Sequence, residues 1–360
     1  MRFRSLFCPA VRSTVLLSAL TATVFALEIP ADDRRIVYEG RTQVTADHRM
    51  RLGYPGIAVH LRASARSLAL HANASSDTVY FDVIVDGAAP ALWHVPKGEA
   101  VTPLYHALPN GEHRVELIRR TESWEGTCDV LGWQADGGEI EAGPALPARK
   151  LLFIGDSVTC GQGTEPQRAK EVANPIRANA RLAFGPRLAR TFGAQCHLVA
   201  YGGRGLIRDW QGNRTTTTAP QFYELALPDD PASAWDHARY VPDAIGVALG
   251  TNDFSRGIPD QNEFVNAYVE FVRKLQRDAP HAAILLIDSP ILNDGPGEPP
   301  KRSALSAFLD EVVAKVRSPQ VTHARIRHYA GAPDDAHPTG DDHAGIAAEL
   351  APAIRAALHW

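Results

Sequence analysis

The apolar and polar positions of residues 27–145 alternate along short segments. The stretches IAVHLRAS, TVYFDVIVDG and HRVELIRR place an apolar residue at about every second position, which is typical of strands with one buried face. Asp86-Gly87 and Asn110-Gly111 supply the turn residues that two-residue hairpin loops prefer. This pattern predicts an antiparallel β-sandwich, jelly-roll-like, over residues 27–145.

From Lys150 onward the pattern changes, because continuous apolar runs alternate with amphipathic segments. Such alternation predicts an α/β domain over residues 146–360, with a parallel sheet between two layers of helices. Active sites of such sheets lie at the carboxyl ends of the strands. The predicted strands are 151–154, 198–201, 244–249 and 284–287, and the predicted helices are 177–192, 261–278, 301–316 and 343–357.

The first 26 residues have the pattern of a secretory signal peptide. Three arginines precede the apolar run 15–22, and Val24 and Ala26 are small residues at the positions that a signal peptidase reads. The run is too short for a membrane anchor. We therefore expect cleavage after Ala26, a secreted or periplasmic protein, and no membrane partner after cleavage.

Composition narrows the range of functions. The length of 360 residues suggests two domains. The net charge of −4 and the lack of a Lys/Arg stripe give no indication of a nucleic-acid partner. Beyond the signal peptide there are three cysteines, which allow at most one disulfide and equally allow free buried thiols. They are Cys128, Cys160 and Cys196.

Polar residues follow the predicted strands. Gly155-Asp156-Ser157 follows the first strand, Gly202–Gly205 the second, Gly250–Asp253 the third, and the segment APDDAHPTGDDHAG precedes the last helix. Each alone is compatible with an ordinary helix cap or turn. Together they contain the groups that acyl transfer requires, at the edge where a parallel sheet gathers them.

Serine needs an adjacent base to act as a nucleophile, so Ser157 and His337 are the candidate nucleophile and base. Asp334 lies three residues before His337, so one short loop can carry both the base and a carboxylate that orients it. The tetrahedral intermediate needs preorganised hydrogen-bond donors. The N–H groups of Ser157 and Gly203 and the side-chain amide of Asn252 are candidates for this oxyanion hole.

The segments GDS, GTND and DDAHP, with Gly203, resemble the four blocks of the SGNH (GDSL-type) hydrolases in the same order. The finer resemblance is to carbohydrate esterase family 2, through GDSVTCGQG, GGRGL, GTNDF and HPTGDDHAGIAAEL, and through the sandwich placed before the hydrolase domain. This resemblance implies an SGNH fold and hydrolysis of acetyl esters on plant cell-wall sugars such as xylan or glucomannan. It implies neither a metal nor any other cofactor.

The acid that orients His337 stays open. The spacing usual in the superfamily favours Asp334, Asp335 is the alternative, and some members of the family resemble a Ser-His dyad in which a backbone carbonyl orients the histidine. His343 stands where the family also tends to carry a histidine, and we interpret it as a structural residue at the start of the last helix.

Substrate contacts are expected from Arg204 and from the insertion 206–240. Trp210 or Trp235 in this insertion could stack on sugar rings, although loop aromatics can equally anchor the loop to its own domain. Arg204 could contact sugar hydroxyls or form a surface salt bridge. The sandwich domain could also contact carbohydrate through its tryptophans, which are more often core residues. These are Trp93, Trp124 and Trp133.

Two other functions compete with a carbohydrate O-acetyl esterase acting on an acetylated polysaccharide or oligosaccharide. A lipase or thioesterase could use the same four blocks, but a long acyl chain needs an apolar cleft and the insertion 206–240 is polar. A carbohydrate-binding protein with a relic hydrolase domain is the other, and the presence of all four blocks disfavours it.

Overall fold

The computed structural model describes residues 27–165, 176–297 and 299–360. Residues 27–141 contain twelve strands within this description. They are β1 Leu27–Pro30, β2 Val37–Glu39, β3 Thr42–Val44, β4 Met50–Leu52, β5 Ala58–Ala63, β6 Leu68–Ala74, β7 Val79–Val85, β8 Ala91–Val95, β9 Gly98–Tyr105, β10 His113–Arg119, β11 Cys128–Ala135 and β12 Ile140–Glu141.

The twelve strands form two antiparallel six-stranded sheets, as the alternating pattern predicts. One sheet has the order β3-β4-β11-β6-β9 with β1 beside β11, and the other has the order β12-β5-β10-β7-β8 with β2 beside β5. In β10 every second side chain is buried, and Val115 and Leu117 are among the residues that fill the space between the sheets. Asp86 and Gly87 both have positive φ in the turn after β7, which fits their preference for hairpin turns.

The second domain has a five-stranded parallel sheet in the order β14-β13-β15-β16-β17. Its strands are β13 Lys150–Gly155, β14 Gln195–Ala200, β15 Ala244–Ala248, β16 Ala283–Ile287 and β17 Val321–Ala324. Its helices within the described residues are α1 Ser157–Cys160, α2 Phe184–Phe192, α3 Ala219–Phe222, α4 Gln261–Asp278, α5 Lys301–Val316 and α6 Gly340–Leu358.

Helices cover both faces of this sheet, which confirms the predicted three-layer architecture. Alternate residues of β13 point to opposite faces: Leu151 and Phe153 pack in the cluster that includes α2 and α6, and Leu152 and Ile154 pack in the cluster that includes α4 and α5. Buried on both faces, the strands are continuously apolar, which is why they stand out in the sequence.

Several predicted elements differ from the observed ones: β14 begins at Gln195 rather than at residue 198, and the short helices α1 and α3 are not among the predicted helices. The helix predicted over 177–192 begins only at Phe184, because Asn179 caps a separate 3₁₀ turn, Ala180–Leu182. Helix α6 begins three residues earlier than predicted, at Gly340, where Thr339 caps it. Strand β17 is absent from the predicted elements, because only its first and last residues are buried and it carries no apolar run.

The two domains are joined by buried polar contacts. Asp82 of the sandwich accepts hydrogen bonds from Arg181 at 2.6 Å and from Asn179 at 3.1 Å, and the backbone N–H of Gly40 donates to His197 Nε2 at 3.0 Å. These bonds connect residues far apart in sequence, so they fix how the sandwich lies against the parallel sheet. They bring the loop after β10 to the carboxyl edge of that sheet.

The predicted signal peptide, residues 1–26, lies outside the described residues. Cys128, Cys160 and Cys196 are free and buried, so no disulfide joins them. Within the described ranges no helix has the length and apolar character needed to cross a membrane.

Candidate active site

Ser157 stands at the first position of α1, directly after β13. The chain turns sharply here, and a side chain at Gly155 would overlap the Thr159 hydroxyl and approach the Ala248 carbonyl to 3.0 Å. Asp156 caps the short helix by accepting the Val158 N–H at 3.1 Å. Strand β13 ends at Gly155, and a tight strand-to-helix turn places Ser157 at the start of α1 with its hydroxyl at the carboxyl edge of the sheet.

His337 lies in the loop before α6, and its Nε2 is 2.8 Å from Ser157 Oγ. Gly163 makes room for this loop: its φ is +80°, and a Cβ there would lie 2.7 Å from the His337 Cβ. Two residues 180 positions apart in sequence thus form one hydrogen-bonded pair. This is the geometry that nucleophile and base require.

The carboxylate that contacts His337 is Asp335. Its Oδ1 lies 2.6 Å from His337 Nδ1 and also accepts the His337 backbone N–H at 3.0 Å. The structure corrects the preference for Asp334, which points outward and accepts a hydrogen bond from Arg177 at 2.7 Å. The physical reason is a tight turn in which Ala332 and Asp335 exchange backbone hydrogen bonds, so that the side chain of Asp335 faces inward.

The electrostatics of this pair favour an ionised acid beside a basic imidazole. Burial alone would lower the pKa of His337, but its hydrogen bond to Asp335 and the nearby negative charges raise this pKa above its ordinary value of 6.5. Burial alone would raise the pKa of Asp335, but its hydrogen bonds from His337 and the charges of His337 and Arg177 lower it. The histidine is thereby held with Nε2 toward the serine.

Two of the three predicted oxyanion donors have free N–H groups. Gly203, just after β14, has φ of +77°, and within the described ranges neither its N–H nor that of Ser157 donates to a protein acceptor. Asn252 is buried and its amide already donates to the Arg204 carbonyl at 2.9 Å and to Asp156 Oδ2 at 3.2 Å. Asn252 can therefore bind an oxyanion only by sharing or exchanging one of these bonds.

Asp253, next to Asn252, holds the loop that follows Gly203. Its buried carboxylate accepts the backbone N–H groups of Leu206 at 3.0 Å and Ile207 at 2.8 Å. These bonds tie the loops after β14 and β15 to each other. The sequence suggested only a possible helix cap at this position.

The Ser157–His337 pair opens into a cleft of about 800 Å³. Trp210 lines it with 51% of its surface exposed, and Arg204 lines it with its guanidinium 4.9 Å from the centre of the Tyr201 ring and 3.9 Å from Asp209. Arg204 therefore lines the cleft and lies near an acidic side chain, and its contact with sugar hydroxyls stays a prediction.

Trp235 is not a cleft residue. It is 7% exposed and packs between the guanidinium groups of Arg41 and Arg239, whose carbon atoms lie 5.0 Å and 4.6 Å from the ring centre. The expectation of a sugar platform at Trp235 is therefore wrong. The indole anchors the insertion against the sandwich domain instead.

Several cleft residues carry no sequence signal. Glu122 comes from the sandwich domain, and Ile291 and Leu292 follow β16, whereas Trp124 is one of the sandwich tryptophans already named as possible carbohydrate contacts. No spacing or motif connects them to the four blocks, since only the packing of the domains and of the sheet brings them together. His343 lies outside the cleft in the core, where its Nδ1 accepts the Phe184 N–H at 3.2 Å and burial lowers its pKa to about 3.

Comparison with known proteins agrees with this geometry. Residues 38–144 match the family model described as "Carbohydrate esterase 2 N-terminal", and residues 153–359 match the GDSL-like lipase/acylhydrolase family. An acetylxylan esterase / glucomannan deacetylase of Cellvibrio japonicus is 38% identical over 357 residues, which cover 99% of this chain and 97% of that protein.

Two solved structures show the same two-domain arrangement. A family two carbohydrate esterase from Cellvibrio japonicus superposes with a TM-score of 0.88 at 38% identity and covers 93% of this chain and 98% of its own. A family two carbohydrate esterase from Clostridium thermocellum, in complex with cellohexaose, has a TM-score of 0.83 at 27% identity and covers 90% and 99%. With both domains matched and the serine–histidine pair in place, the chain belongs to carbohydrate esterase family 2.

Proposed function

We propose that this protein removes O-acetyl groups from plant cell-wall polysaccharides such as xylan and glucomannan. The observation that carries the proposal is the 2.8 Å contact between Ser157 Oγ and His337 Nε2 at an open cleft of about 800 Å³. The Cellvibrio japonicus relative, an acetylxylan esterase / glucomannan deacetylase that covers nearly the whole chain, supports the same substrates. A signal peptide over residues 1–26 would deliver the enzyme to such polymers outside the cytoplasm.

In the proposed reaction Ser157 Oγ attacks the acetyl carbonyl while His337 Nε2 takes the hydroxyl proton. The imidazolium then gives this proton to the departing sugar oxygen, which leaves an acetyl group on Ser157. Water repeats the sequence and releases acetate. Asp335 stabilises the imidazolium in both halves of the cycle through its 2.6 Å contact with Nδ1.

The negative charge on the carbonyl oxygen requires donors that are already in place. The free N–H groups of Ser157 and Gly203 supply two, and Asn252 supplies a third when it exchanges one of its present acceptors. Each such donor typically contributes about 10²–10³-fold to turnover.

The cleft walls favour a sugar ester over a long-chain acyl ester. Polar residues line one side, and the exposed indole of Trp210 offers an apolar face to the C–H groups of a sugar ring. A long acyl chain would remove water from these polar groups without offering hydrogen bonds in return, which is costly. The polar lining residues of this side are Arg204, Asp209, Gln211, Asn213 and Thr216.

The test is acetate release from acetylated xylan and acetylated glucomannan by the wild type and by Ser157→Ala. We expect Ser157→Ala to reduce turnover by about 10⁴-fold or more without loss of folding. Ser318→Ala is the control, because this serine precedes β17 at the opposite edge of the sheet. Cleavage of p-nitrophenyl acetate without acetate release from either polymer would support the esterase mechanism and refute the proposed polysaccharide substrates. Full activity in Ser157→Ala would refute the mechanism.

A further inference from the structure

A turn of the sandwich domain reaches the active-site cleft. Residues 120–127 connect β10 to β11, and the Ser123 hydroxyl donates at 2.7 Å to the carbonyl of Ala200, the last residue of β14. The buried Arg119 guanidinium connects the turn to the sandwich domain by donating to the carbonyls of Leu52 at 2.7 Å and Glu122 at 3.1 Å. The turn is therefore fixed to both domains.

Glu122 in this turn has a buried carboxyl with one unsatisfied oxygen. The residue is 2% exposed, and within the described ranges its Oε2 makes no hydrogen bond of ordinary geometry, although Trp124 and Cys160 lie close enough to lower the pKa of the carboxyl. It presses against Gly202, where any side chain would overlap the carboxyl group. An unsatisfied buried acceptor costs about 1–3 kcal/mol. Glu122 is one of the cleft-lining residues, so its carboxyl lies next to the space that a substrate enters.

Burial raises the pKa of Glu122 to about 7. Its carboxyl therefore has access to both protonation states near neutral pH, and in either state it can bind a hydroxyl group. The ionisable groups that face it are His337, Asp156, Cys160 and Glu125.

Trp124, two residues further on, lines the same cleft with 51% of its surface exposed. A Cβ on Gly202 would lie 3.1 Å from its Nε1, and a Cβ on Gly203 would lie 2.8 Å from Cδ1 of Trp210. Two exposed indoles therefore flank the glycine pair beside Ser157. One belongs to the catalytic domain and the other to the sandwich domain.

We propose that the turn Glu122–Trp124 forms a sugar subsite of the catalytic cleft, in which the Glu122 carboxyl binds a sugar hydroxyl and the Trp124 indole packs on the C–H face of the ring. An unsatisfied carboxyl oxygen beside an exposed aromatic face is the combination that a sugar ring, polar at its edge and apolar on its face, requires. This inference rests on the proposed function, and it makes the sandwich domain part of the substrate-binding surface.

The experiment compares kcat/KM for acetylated xylo-oligosaccharides with kcat/KM for ethyl acetate, an ester without a sugar ring. We expect Trp124→Ala and Glu122→Gln each to lower the ratio of the two values about tenfold, mainly through a higher KM for the sugar substrate. Glu125→Gln is the matched control, because Glu125 is an equally buried carboxyl of the same turn that does not line the cleft. It should leave the ratio unchanged. Thermal unfolding of each variant checks the fold.

A ratio that stays unchanged in both Trp124→Ala and Glu122→Gln would overturn the subsite. If kcat/KM falls equally on both substrates, the residues have a purely structural role. If Glu122→Gln fails to fold, Trp124→Ala alone tests the subsite, because the exposed indole can be removed without opening the core. A wild type that cleaves ethyl acetate but not the sugar ester would instead refute the proposed function, and the subsite with it.

Discussion

Replacing Asp335 by asparagine, with Asp334→Asn as its matched control, tests the geometry around His337. The two carboxylates are neighbours in sequence, but only Asp335 contacts the imidazole, at 2.6 Å, while Asp334 pairs with Arg177 at the surface. Asparagine keeps the size of the side chain and an acceptor for the His337 N–H. It removes the charge that stabilises the imidazolium.

The expected loss follows from the charge pair. For charge centres about 4 Å apart and an effective dielectric constant of about 20, the attraction is about 4 kcal/mol. If this stabilisation is made only while His337 is protonated in the transition state, its loss lowers kcat by about 10³-fold. Asp334→Asn removes one ion pair at a side chain that is 44% exposed, so we expect less than about a threefold change.

The assay is the steady-state hydrolysis of an acetyl ester by wild type, Asp335→Asn and Asp334→Asn, with thermal unfolding of all three. A kcat for Asp335→Asn within about threefold of the wild type would show that a backbone carbonyl or water suffices to orient His337. An equal loss in both variants would show that the acid block acts as a unit. Either result would refute the assignment of Asp335 as the orienting acid.

Three further predictions follow from the site and its core. The pKa of His337 is raised above 6.5, and the base must be neutral to act, so kcat/KM should fall as the pH drops through this raised pKa. Asp335→Asn should move the acidic side of the pH–rate profile to lower pH. The pKa of buried His343 is about 3, whereas an unfolded histidine titrates near 6.5, so the free energy of unfolding should fall by about 1.4 kcal/mol per pH unit below about 6.5. His343→Gln should therefore show a weaker dependence of Tm on pH in this range, and an equally steep dependence would contradict the reasoning. Gly203→Ala should lower kcat by about 10²-fold or more, because φ is +77° and the N–H would move, while Gly257→Ala, with φ of +112° and open space around it, should keep its kcat.

Local sequence was sufficient for the parts whose signal lies in neighbouring residues. The buried strands of the parallel sheet are continuous apolar runs, and helices α4 and α5 lie at the predicted residues, with buried side chains that recur at helical spacing. The turn after β13 leaves no room for a side chain at Gly155, and Ser157 becomes the candidate nucleophile only when its block is taken together with the other three. The serine and histidine blocks likewise carry their spacing within a few residues.

Tertiary structure decided what depends on which way a side chain points. Asp334 and Asp335 are equivalent in sequence, and only the turn at Ala332 directs Asp335 toward His337. Trp235 and Trp210 both lie in one insertion, yet packing against the sandwich buries the first and leaves the second in the cleft.

The contribution of the sandwich domain was the least visible from the sequence. Glu122 stands in an ordinary turn between two strands and 35 positions before the nucleophile, and nothing nearby marks it as a cleft residue. Its position depends on contacts such as Ser123 with Ala200, which connect residues 77 positions apart. The sequence alone determined the two folds and the serine–histidine chemistry, because local periodicity predicts the folds and short motifs indicate the chemistry. The turn at Ala332 decided which carboxylate orients His337, and the docking of the domains decided the cleft walls, because long-range contacts leave no local pattern.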